Sequence, residues 1–396
     1  MRIRELALGL LAGTALGAPA FAAPIQTVFV IALENHNFTQ PPGTTPAQIL
    51  GNPAAPFVNS LITPGDPNAA MTSFATDYQS ADATHPSEPN YIYSEAGSNL
   101  GNTTDADPSP ANGNIYSVPH LTGLMQQQGV SWKSYQEDTQ IDYNTNTVLP
   151  KSEWTVPLVS QSGTNPGYTN AYNGSHQYNY AAKHDPQVFF TDTNSPSSVS
   201  HYAPLQQLFS DLADNTAAQY NWITPDQYND MHSSLTGGFT YNGVHYTGDQ
   251  AAVAEGDNFL SIVVPEIEAS QAFKDNGAIV LWWDETEGGD SSQYTIPEII
   301  ISPDAEGNAY SDSIYYTHAS DLLTMEEVFQ LGQCLGASCT ANSLSDLFVP
   351  GAIPSSVPEP ASLSILGVGL LGLFCGAAAA RLNSHWTAVR SGPSLL

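Results

Sequence analysis

The chain has 396 residues, enough for one large or two ordinary domains, and its 8 lysines and arginines stand against 38 aspartates and glutamates, a formal net charge of −30 at pH 7. The arginines lie only in the terminal segments, at positions 2, 4, 381 and 390, so none falls between residues 24 and 356. Such a composition excludes electrostatic binding of nucleic acid or of an anionic bilayer, and any phosphate chemistry must rely on metal, histidine and backbone amides.

Residues 1–23 have the pattern of an export signal. Two arginines precede an apolar run over residues 6–16, and Ala20-Phe21-Ala22 supplies the small-x-small cleavage pattern. The mature chain is therefore expected to begin near residue 24. An exported protein can form disulfides, and Cys334 and Cys339 are close enough in sequence for a small local one, although two free thiols are an open alternative.

The first predicted element of the exported chain is a strand over Gln26–Leu33, a β-branched and apolar run that ends at Glu34-Asn35-His36. The first strand of an α/β sheet is often central, and ligands of such sheets bind at the carboxyl ends of the strands. Glu34 and Asn35 are therefore candidate ligands at that edge of the sheet.

The octapeptide Thr84–Tyr91 holds a serine between two prolines. Pro86 and Pro89 bracket Ser87 in a stiff, non-helical turn, and a helix is expected beyond Pro89. A serine ahead of a helix N-terminus suits a nucleophile, because unpaired amides and the helix dipole stabilise an oxyanion. The alternative interpretation is an ordinary N-cap turn.

The middle of the chain is dominated by Asn, Ser, Thr, Tyr and Gly, and residues 138–200 are interpreted as irregular structure on the substrate side. Short helices are predicted on either side, over His120–Gln128 and Pro204–Asn215. Tyr220–Thr224 is a predicted strand that leads into Asn229-Asp230-Met231-His232. This strand, like the first, carries acidic and amide groups at its carboxyl end.

The strongest strand signal is the apolar run Ile279–Trp283, which is typical of a strand buried on both faces. Asp284 and Glu285 end it, and two adjacent carboxylates repel each other, so a positive charge should lie beside them. The alternative is that these two residues simply start a polar loop. An amphipathic helix from Gly256 to about Phe273 precedes this strand, and Pro265 should kink or interrupt it.

Ile296–Ile301 is another predicted strand, and the last helix is predicted from about Ser320 to Leu331, with Ser320 as its N-cap. His318 lies directly before it. A single histidine is more often structural than functional, but five sets of polar residues now follow strands or precede helices. The predicted fold class is therefore α/β.

After residue 350 the composition changes. Residues 351–360 are a proline-rich linker that contains Val357-Pro358-Glu359-Pro360, and residues 382–396 form a short tail. Between them, residues 361–381 include about 20 apolar or uncharged positions, as a membrane span requires. Arg381 at the end of this segment would, by the positive-inside rule, leave the catalytic domain of residues 24–350 on the exported side.

Together these motifs resemble the bacterial phosphoesterase family, which holds acid phosphatases and C-type phospholipases of the alkaline-phosphatase-like superfamily. The resemblance extends over about residues 25–335 and is carried by Glu34-Asn35-His36, His85-Pro86-Ser87-x-Pro89-Asn90-Tyr91, Asn229-Asp230-Met231-His232, Trp283-Asp284-Glu285 and Thr317-His318-x-Ser320. The stretch from Val357 to Arg381 is similar to a Pro-Glu-Pro (PEP-CTERM) sorting signal, of the kind that an exosortase processes in Gram-negative bacteria.

The resemblance implies an alkaline-phosphatase-like α/β fold, with a mostly parallel central sheet and helices on both faces. It also implies a role for each matching residue. Ser87 would be the nucleophile of a phosphoserine mechanism, and three histidines, His85, His232 and His318, would surround the phosphoryl group. The ligands of a divalent metal would be Glu34, Asn35, Asp284 and Glu285. This chain departs from its relatives at Ser233, where they usually have Asp, which points to a slower rate or an altered pH dependence.

The implied protein is an exported, metal-dependent hydrolase of phosphate esters. It would reside in the periplasm, at the outer surface or in the extracellular matrix, after transient anchoring in the inner membrane. Its motifs do not separate a phosphomonoesterase from a phospholipase C-like enzyme. A sulfatase-type hydrolase is an alternative, but its Cys- or Ser-x-Pro-x-Arg signature is absent. The non-enzymatic alternative is a surface or matrix protein that kept the fold and lost turnover.

Overall fold

The computed structural model describes residues 22–39, 48–81, 85–287 and 295–354. All of these residues belong to one unit, Met1–Pro354. The predicted signal peptide up to residue 21, the linker beyond residue 354, the segment 361–381 and the tail 382–396 lie outside the described residues. Within the described ranges, no helix is both long enough and apolar enough to cross a bilayer.

The bounds of the regular elements are as follows. The α-helices of the described ranges are α1 (Pro56–Leu61), α2 (Ser87–Ala96), α3 (Leu121–Gln128), α4 (Gln206–Ala213), α5 (Asp249–Ala269), α6 (Gln271–Lys274) and α7 (His318–Val328). The strands are β1 (Thr27–Leu33), β2 (Thr72–Ala75), β3 (Tyr78–Gln79), β4 (Trp132–Gln136), β5 (Ile141–Asp142), β6 (Thr147–Val148), β7 (Gln161–Thr164), β8 (Gln177–Tyr180), β9 (Tyr202–Pro204), β10 (Tyr220–Thr224), β11 (Phe239–Tyr241), β12 (Val244–Tyr246), β13 (Gly277–Trp283), β14 (Glu298–Ile301), β15 (Tyr310–Asp312) and β16 (Tyr316–Thr317).

The central sheet has eight strands in the order β15-β2-β14-β13-β1-β10-β4-β9. β1 lies in the interior of the sheet and is parallel to both of its neighbours, β13 and β10. β4 and β9 continue in the same direction, and β14 is antiparallel to both strands beside it. The prediction of a mostly parallel sheet is therefore confirmed.

Helices cover both faces of this sheet. On one face, Ser94 of α2 and Leu322 of α7 line a small cavity together with Trp222 of β10. On the other face, Asp211 of α4 accepts a hydrogen bond of 2.7 Å from the hydroxyl of Tyr135 in β4. Because side chains alternate along a strand and β10 pairs with β4 in parallel register, Trp222 and Tyr135 point to opposite faces.

The helix cover explains the composition of the central strands. Every residue of β13 is buried, and in β1 only Thr27 is partly exposed. Buried aliphatic residues such as Ile279 and Leu281 each stabilise the fold by about 1.5–3 kcal/mol relative to exposed positions. Their β-branched and apolar runs gave strand predictions that agree with the structure within two residues.

Helix α5 differs from its prediction at both ends. It begins at Asp249 instead of Gly256 and continues through Pro265 to Ala269, and α6 is a separate short helix. The early start falls in an alanine-rich stretch, which favours helix without an amphipathic pattern. Pro265 is exposed, so the hydrogen bond it removes lies on the solvent side, where water can satisfy the free carbonyl. The predicted interruption is wrong.

Two other helix starts are earlier than predicted. α2 begins at Ser87, with Pro86 as its N-cap, because Pro89 falls in the first turn, where a missing N–H costs nothing. α7 begins at His318 with Thr317 as its N-cap, and Ser320 completes the capping box instead of forming the cap. Further on, Cys334 and Cys339 form a disulfide, which resolves the open alternative.

Candidate active site

The carboxyl ends of β1 and β13 place two acidic residues side by side. Leu33 is in register with Trp283, so Glu34 and Asp284 leave the sheet at the same level. The main-chain N–H of Asn35 donates to Asp284 Oδ1 at 3.0 Å. Asn35 has a positive φ of 35°, which turns the chain sharply after Glu34. The structure thus brings together three of the predicted metal ligands at the centre of the sheet.

Helix α2 presents three side chains to these carboxylates. The hydroxyl of Ser87 donates to Glu34 Oε2 at 2.9 Å and lies 3.2 Å from Glu285 Oε1. Asn90 Nδ2 donates to Glu285 Oε2 at 2.9 Å, and the Tyr91 hydroxyl donates to Glu34 Oε1 at 2.6 Å. Positions i, i+3 and i+4 share one face of a helix. A single helix therefore supplies the candidate nucleophile and fixes the two carboxylates beside it.

His85 joins this group through Glu285. Its Nδ1 lies 2.7 Å from Glu285 Oε1, which also accepts a hydrogen bond of 2.9 Å from Asn35 Nδ2. The hydrogen bond to Glu285 raises the pKa of His85 above its usual value, although partial burial lowers it. The His85 side chain is 40% exposed, whereas Glu285 is 1% exposed. His85 is thus a solvent-accessible imidazole with an increased tendency to hold a proton.

Burial and mutual repulsion make the ionised carboxylates of this site costly. Burial, followed by the charges of Asp284 and Asp230, raises the pKa of Glu34 well above its usual value. Burial and the charge of Glu285 raise the pKa of Asp284 in the same way. Carboxylates in such surroundings need either protons or a cation.

The unpaired oxygens of the site indicate whether protons or a cation would satisfy its carboxylates. Asp284 Oδ2, Asp230 Oδ2 and Asn35 Oδ1 are buried and have no hydrogen-bond partner within the described part of the chain. Carboxylate and amide oxygens are the donors that hard divalent cations prefer. The residues present therefore fit a divalent metal ion.

His184 lies against the same group, although sequence analysis did not select it. Its ring stacks on Tyr91, with ring centres 4.9 Å apart. Its Nε2 is 3.2 Å from Glu34 Oε1 and its Nδ1 is 3.6 Å from Asp230 Oδ2, but neither contact has hydrogen-bond geometry. Burial, with a smaller contribution from Lys183, lowers the pKa of His184 well below its usual value. Burial therefore disfavours a positive charge on this ring.

Lys183 supplies positive charge to the site. Burial lowers its pKa, but the charges of Glu34, Asp105 and Asp284 outweigh that effect, so the pKa is raised and the side chain stays protonated. Its Nζ forms an ion pair with Asp105. No arginine occurs between residues 24 and 356, so lysine carries this role here. The stretch Lys183-His184-Asp185-Pro186 is visible in the sequence, but nothing in its spacing indicates a contact with Glu34.

His232 and His318 occupy different places from His85. His232 is exposed, its ring centre lies 6.3 Å from that of His184, and its Nδ1 is 2.9 Å from Ser233 Oγ. Ser233 thus pairs with this histidine.

His318 is buried behind the site. Its Nε2 donates to the main-chain oxygen of Trp283 at 3.0 Å, its Nδ1 accepts from the N–H of Ala81 at 3.5 Å, and burial lowers its pKa to about 3. This neutral ring supports the last peptide of β13, immediately before Asp284. The structure gives it no contact with Ser87 or the carboxylates within the described ranges, so its place beside a phosphoryl group stays a prediction.

The Asn229–Asp230 turn is held by the carboxylate of Glu137, the residue that follows strand β4. Asn229 Nδ2 donates to Glu137 Oε1 at 2.9 Å, and the N–H of Asp226 donates to Glu137 Oε2 at 2.8 Å. The N–H of Glu34 in turn donates to the main-chain oxygen of Asp230 at 2.8 Å. Asn229 therefore positions Asp230, and Asp230 belongs to the group around Glu34.

Comparison with protein families gives two matches. The model of the phosphoesterase family matches residues 66–332, and that of the PEP-CTERM protein-sorting motif matches residues 356–381. The first match includes α2 with Ser87 and the ends of β10 and β13, whereas β1 with Glu34 lies before it.

Curated relatives and solved structures give further matches. A phosphatidylinositol-3-phosphatase of Mycobacterium tuberculosis is 27% identical over 333 residues, which cover 84% of this chain and 86% of that protein. A probable acid phosphatase of Kluyveromyces lactis is 26% identical over 252 residues, 63% of this chain and 49% of that protein, so this chain spans about half of the yeast protein. A solved structure of a protein in the alkaline phosphatase superfamily from Vibrio parahaemolyticus is 13% identical with a TM-score of 0.45, covering 83% of this chain and 73% of that chain.

Proposed function

This chain belongs to the phosphoesterase family and is a hydrolase of phosphoric ester bonds, and on that premise we propose that it is an exported, metal-dependent phosphomonoesterase acting through a phosphoserine on Ser87. The observation that carries the proposal is the position of the Ser87 hydroxyl, 2.9 Å from Glu34 Oε2 and 3.2 Å from Glu285 Oε1 at the N-terminus of α2. A hydroxyl held against carboxylates at a helix N-terminus can lose its proton and is oriented for attack.

The ligands of the proposed metal are the oxygens that surround this hydroxyl. Glu34, Asn35, Asp284 and Glu285 would hold a divalent cation, which when bound supplies positive charge against both the carboxylates and the phosphate. Asn35 would contribute its Oδ1, which has no hydrogen-bond partner among the described residues, while its Nδ2 donates to Glu285 Oε1. This donor set explains how a site with no arginine can accept an anionic substrate.

The side chains suggest how protons move in the first half of the reaction. Glu34 Oε2 accepts the Ser87 proton while Ser87 Oγ forms its bond to phosphorus and the ester P–O bond breaks. His85, half-exposed and with a raised pKa, donates a proton to the leaving alcohol oxygen. In the second half, His85 takes a proton from water as the water oxygen attacks phosphorus, and Ser87 Oγ leaves and regains its proton from Glu34. Phosphate is released and each group returns to its starting state.

Hydrolysis of a phosphomonoester bond is favoured over cleavage of a phosphodiester bond, and an anionic membrane surface is disfavoured as the place of reaction. The relatives reported above are named as a phosphatidylinositol-3-phosphatase and an acid phosphatase. The net charge of −30 would repel an anionic lipid surface. A phospholipase C-like activity would instead cleave a phosphodiester, so paired substrates distinguish the two.

We expect the purified full chain to hydrolyse an aryl phosphate monoester and to lose this activity to a chelator. The loss should be close to complete, because the carboxylates without a cation would repel the substrate. Adding back single divalent metals should restore the rate. Turnover is measured by release of the aryl alcohol, with an aryl phosphodiester as the parallel substrate.

Three results would contradict the proposal. Activity that survives exhaustive chelation would remove the metal from the mechanism. An absence of turnover with every divalent cation tested would favour a matrix protein that kept the fold. Faster hydrolysis of the diester than of the monoester would assign the chain to the phospholipase C-like type.

We also propose that the mature protein is released from the inner membrane after an exosortase-type enzyme cleaves near residues 357–360. The PEP-CTERM match over residues 356–381 supports this order of events. The segment contains Gly367, Gly369, Gly372 and Gly376, so it is only weakly hydrophobic and suits a temporary anchor. Intact-mass measurement on protein from the native host should show a chain without residues 361–396. A mature species that retains those residues would mean a permanent anchor.

A further inference from the structure

A second group of ligand-type side chains begins two residues after Glu34. His36, Asp249 and Glu287 each offer one ligand atom, and these three atoms lie within 4.8 Å of one another. They come from three parts of the fold: the turn after β1, the first residue of α5 and the segment after β13. None of the three has a role in the mechanism proposed above.

The hydrogen bonds of His36 determine which ring nitrogen could face a metal ion. Its Nδ1 lies 3.1 Å from the main-chain oxygen of Glu34, and a carbonyl oxygen can only accept, so Nδ1–H donates. Its Nε2 lies 3.1 Å from Asp249 Oδ1. Metal-binding histidines nearly always donate their other ring N–H to a carbonyl or carboxylate in this way. A carboxylate oxygen likewise only accepts, so without a metal ion Nε2–H donates to Asp249, and a shared cation would take the place of this proton.

We propose that His36, Asp249 and Glu287 bind a divalent cation of the zinc or manganese class, at a site separate from the one formed by Glu34 and Asp284. One imidazole and two carboxylates are a common protein ligand set for such metals, with water completing the coordination. Ligand atoms on one zinc ion, each about 2.0–2.2 Å from it, are about 3–4 Å apart, and the Nε2–Oδ1 distance of 3.1 Å falls in this range.

The exposure of the three side chains suits an ion that enters from solvent. The His36 side chain is 1% exposed and forms the floor of the site, whereas the Asp249 side chain is 33% exposed. Glu287 is partly exposed as well. The two carboxylates carry two negative charges and the neutral imidazole carries none, so a divalent cation balances the group.

An ion at this position would connect elements that the catalytic group depends on. The N–H of Glu287 donates to Asn37 Oδ1 at 3.0 Å, so the segments after β1 and β13 already touch here. Asn35, with its φ of 35°, lies between Glu34 and His36 in the same turn. An ion held by all three side chains would fix the conformation of the turn after β1. That turn carries Glu34 and Asn35.

The test is to count and titrate metal ions in the purified full chain. Wild-type protein, His36→Gln and Glu287→Gln are stripped, titrated with Zn²⁺ or Mn²⁺ alone and assayed by elemental analysis. Each variant should contain one ion fewer per chain than wild type and should lose the corresponding binding step, with affinity at this site lowered at least about 100-fold. The matched control is Glu266→Gln, which removes an exposed carboxylate from the same helix α5 and should change neither result.

Glu287→Gln keeps the test decisive if His36→Gln, at a buried position, fails to fold. Wild-type ion content and affinity in the folded variants would overturn the proposal and leave His36 and Asp249 as a protonated ion pair. The count of ions does not depend on hydrolysis. Failure of the catalytic proposal would appear as absent turnover with this ion still bound, whereas failure of this proposal would appear as unchanged metal content.

Discussion

Replacing Ser87 by alanine is expected to lower kcat by roughly 10⁴-fold or more, the loss that follows removal of an activated nucleophile. The variant lacks the oxygen that would form the bond to phosphorus, and within the described ranges no other hydroxyl group donates to both Glu34 and Glu285. Substrate affinity should change far less than kcat, because the cationic groups and the helix N-terminus remain in place. Steady-state kinetics with an aryl phosphate measures both quantities.

The fold should tolerate this change. Ser87 is buried but small, and its loss removes one hydrogen bond to Glu34, worth about 1–2 kcal/mol. Ser94→Ala is the matched control, since Ser94 lies in the same helix, is also buried and donates to the main-chain oxygen of Tyr91 instead of the site. This control should keep wild-type kcat and have a similar melting temperature.

A covalent intermediate can be observed directly. Acid quenching of wild-type protein during turnover should trap a phosphoryl group on the peptide that contains Ser87, and the alanine variant should trap none. Near-normal kcat in Ser87→Ala, or a phosphoryl group trapped on a different residue, would remove Ser87 from the mechanism. A slow variant that still folds and binds metal would support its role as nucleophile.

Changing Asp284 to asparagine is expected to abolish metal binding at the catalytic group. The substitution preserves shape, and the side-chain oxygen can still accept the hydrogen bond from the N–H of Asn35. It removes one negative charge, however, and with it the carboxylate oxygen Oδ2 that has no partner among the described residues. Loss of an outer hydrogen-bond partner of a ligand already costs about 10- to 100-fold in metal affinity, so loss of a ligand charge should cost at least that.

The direction of the change in melting temperature distinguishes the loss of a metal ligand from a general destabilisation of the fold. Burial and the neighbouring Glu285 raise the pKa of Asp284, which means that the ionised carboxylate destabilises the metal-free fold. Metal-free Asp284→Asn should therefore melt at or above the temperature of metal-free wild type. Added metal should raise the melting temperature of wild type by mass action and should raise that of the variant much less.

Elemental analysis after dialysis completes this test. The variant should contain one ion fewer per chain than wild type. Asp211→Asn serves as the matched control, because Asp211 is also buried but pairs with Lys133 and Tyr135 at the α4 side of the sheet. Unchanged metal content in Asp284→Asn would show that Glu34 and Asp284 do not share an ion.

The amino-acid sequence by itself determined the strands that carry the site. Long β-branched and apolar runs identified β1 and β13, because strands covered on both faces bury their side chains and leave an unbroken hydrophobic pattern. Their acidic ends then placed Glu34 and Asp284 at one edge, since parallel strands present their carboxyl ends together. The octapeptide around Ser87 was recognisable because two prolines and a serine in that order resemble a known motif.

Helix boundaries were less accessible to sequence reasoning. α5 starts in an alanine-rich stretch that has no amphipathic signal, and it continues through Pro265 because that residue faces solvent. Both facts depend on how the helix lies against the rest of the fold. The intrinsic helix propensities of ordinary amino acids differ by less than about 1 kcal/mol per residue, so tertiary packing decides where such a helix begins and ends.

Only the tertiary structure decided which side chains meet. His184 lies in a region without periodic pattern, yet it stacks on Tyr91 and contacts Glu34. His318 belongs to a recognisable motif, yet its ring is bonded to the backbone of β13 instead of facing Ser87. The hydrophobic pattern along the chain indicates which residues of a single helix or strand are buried. Contacts between distant segments depend on how whole elements pack and in which register, and that information exists only in the folded protein.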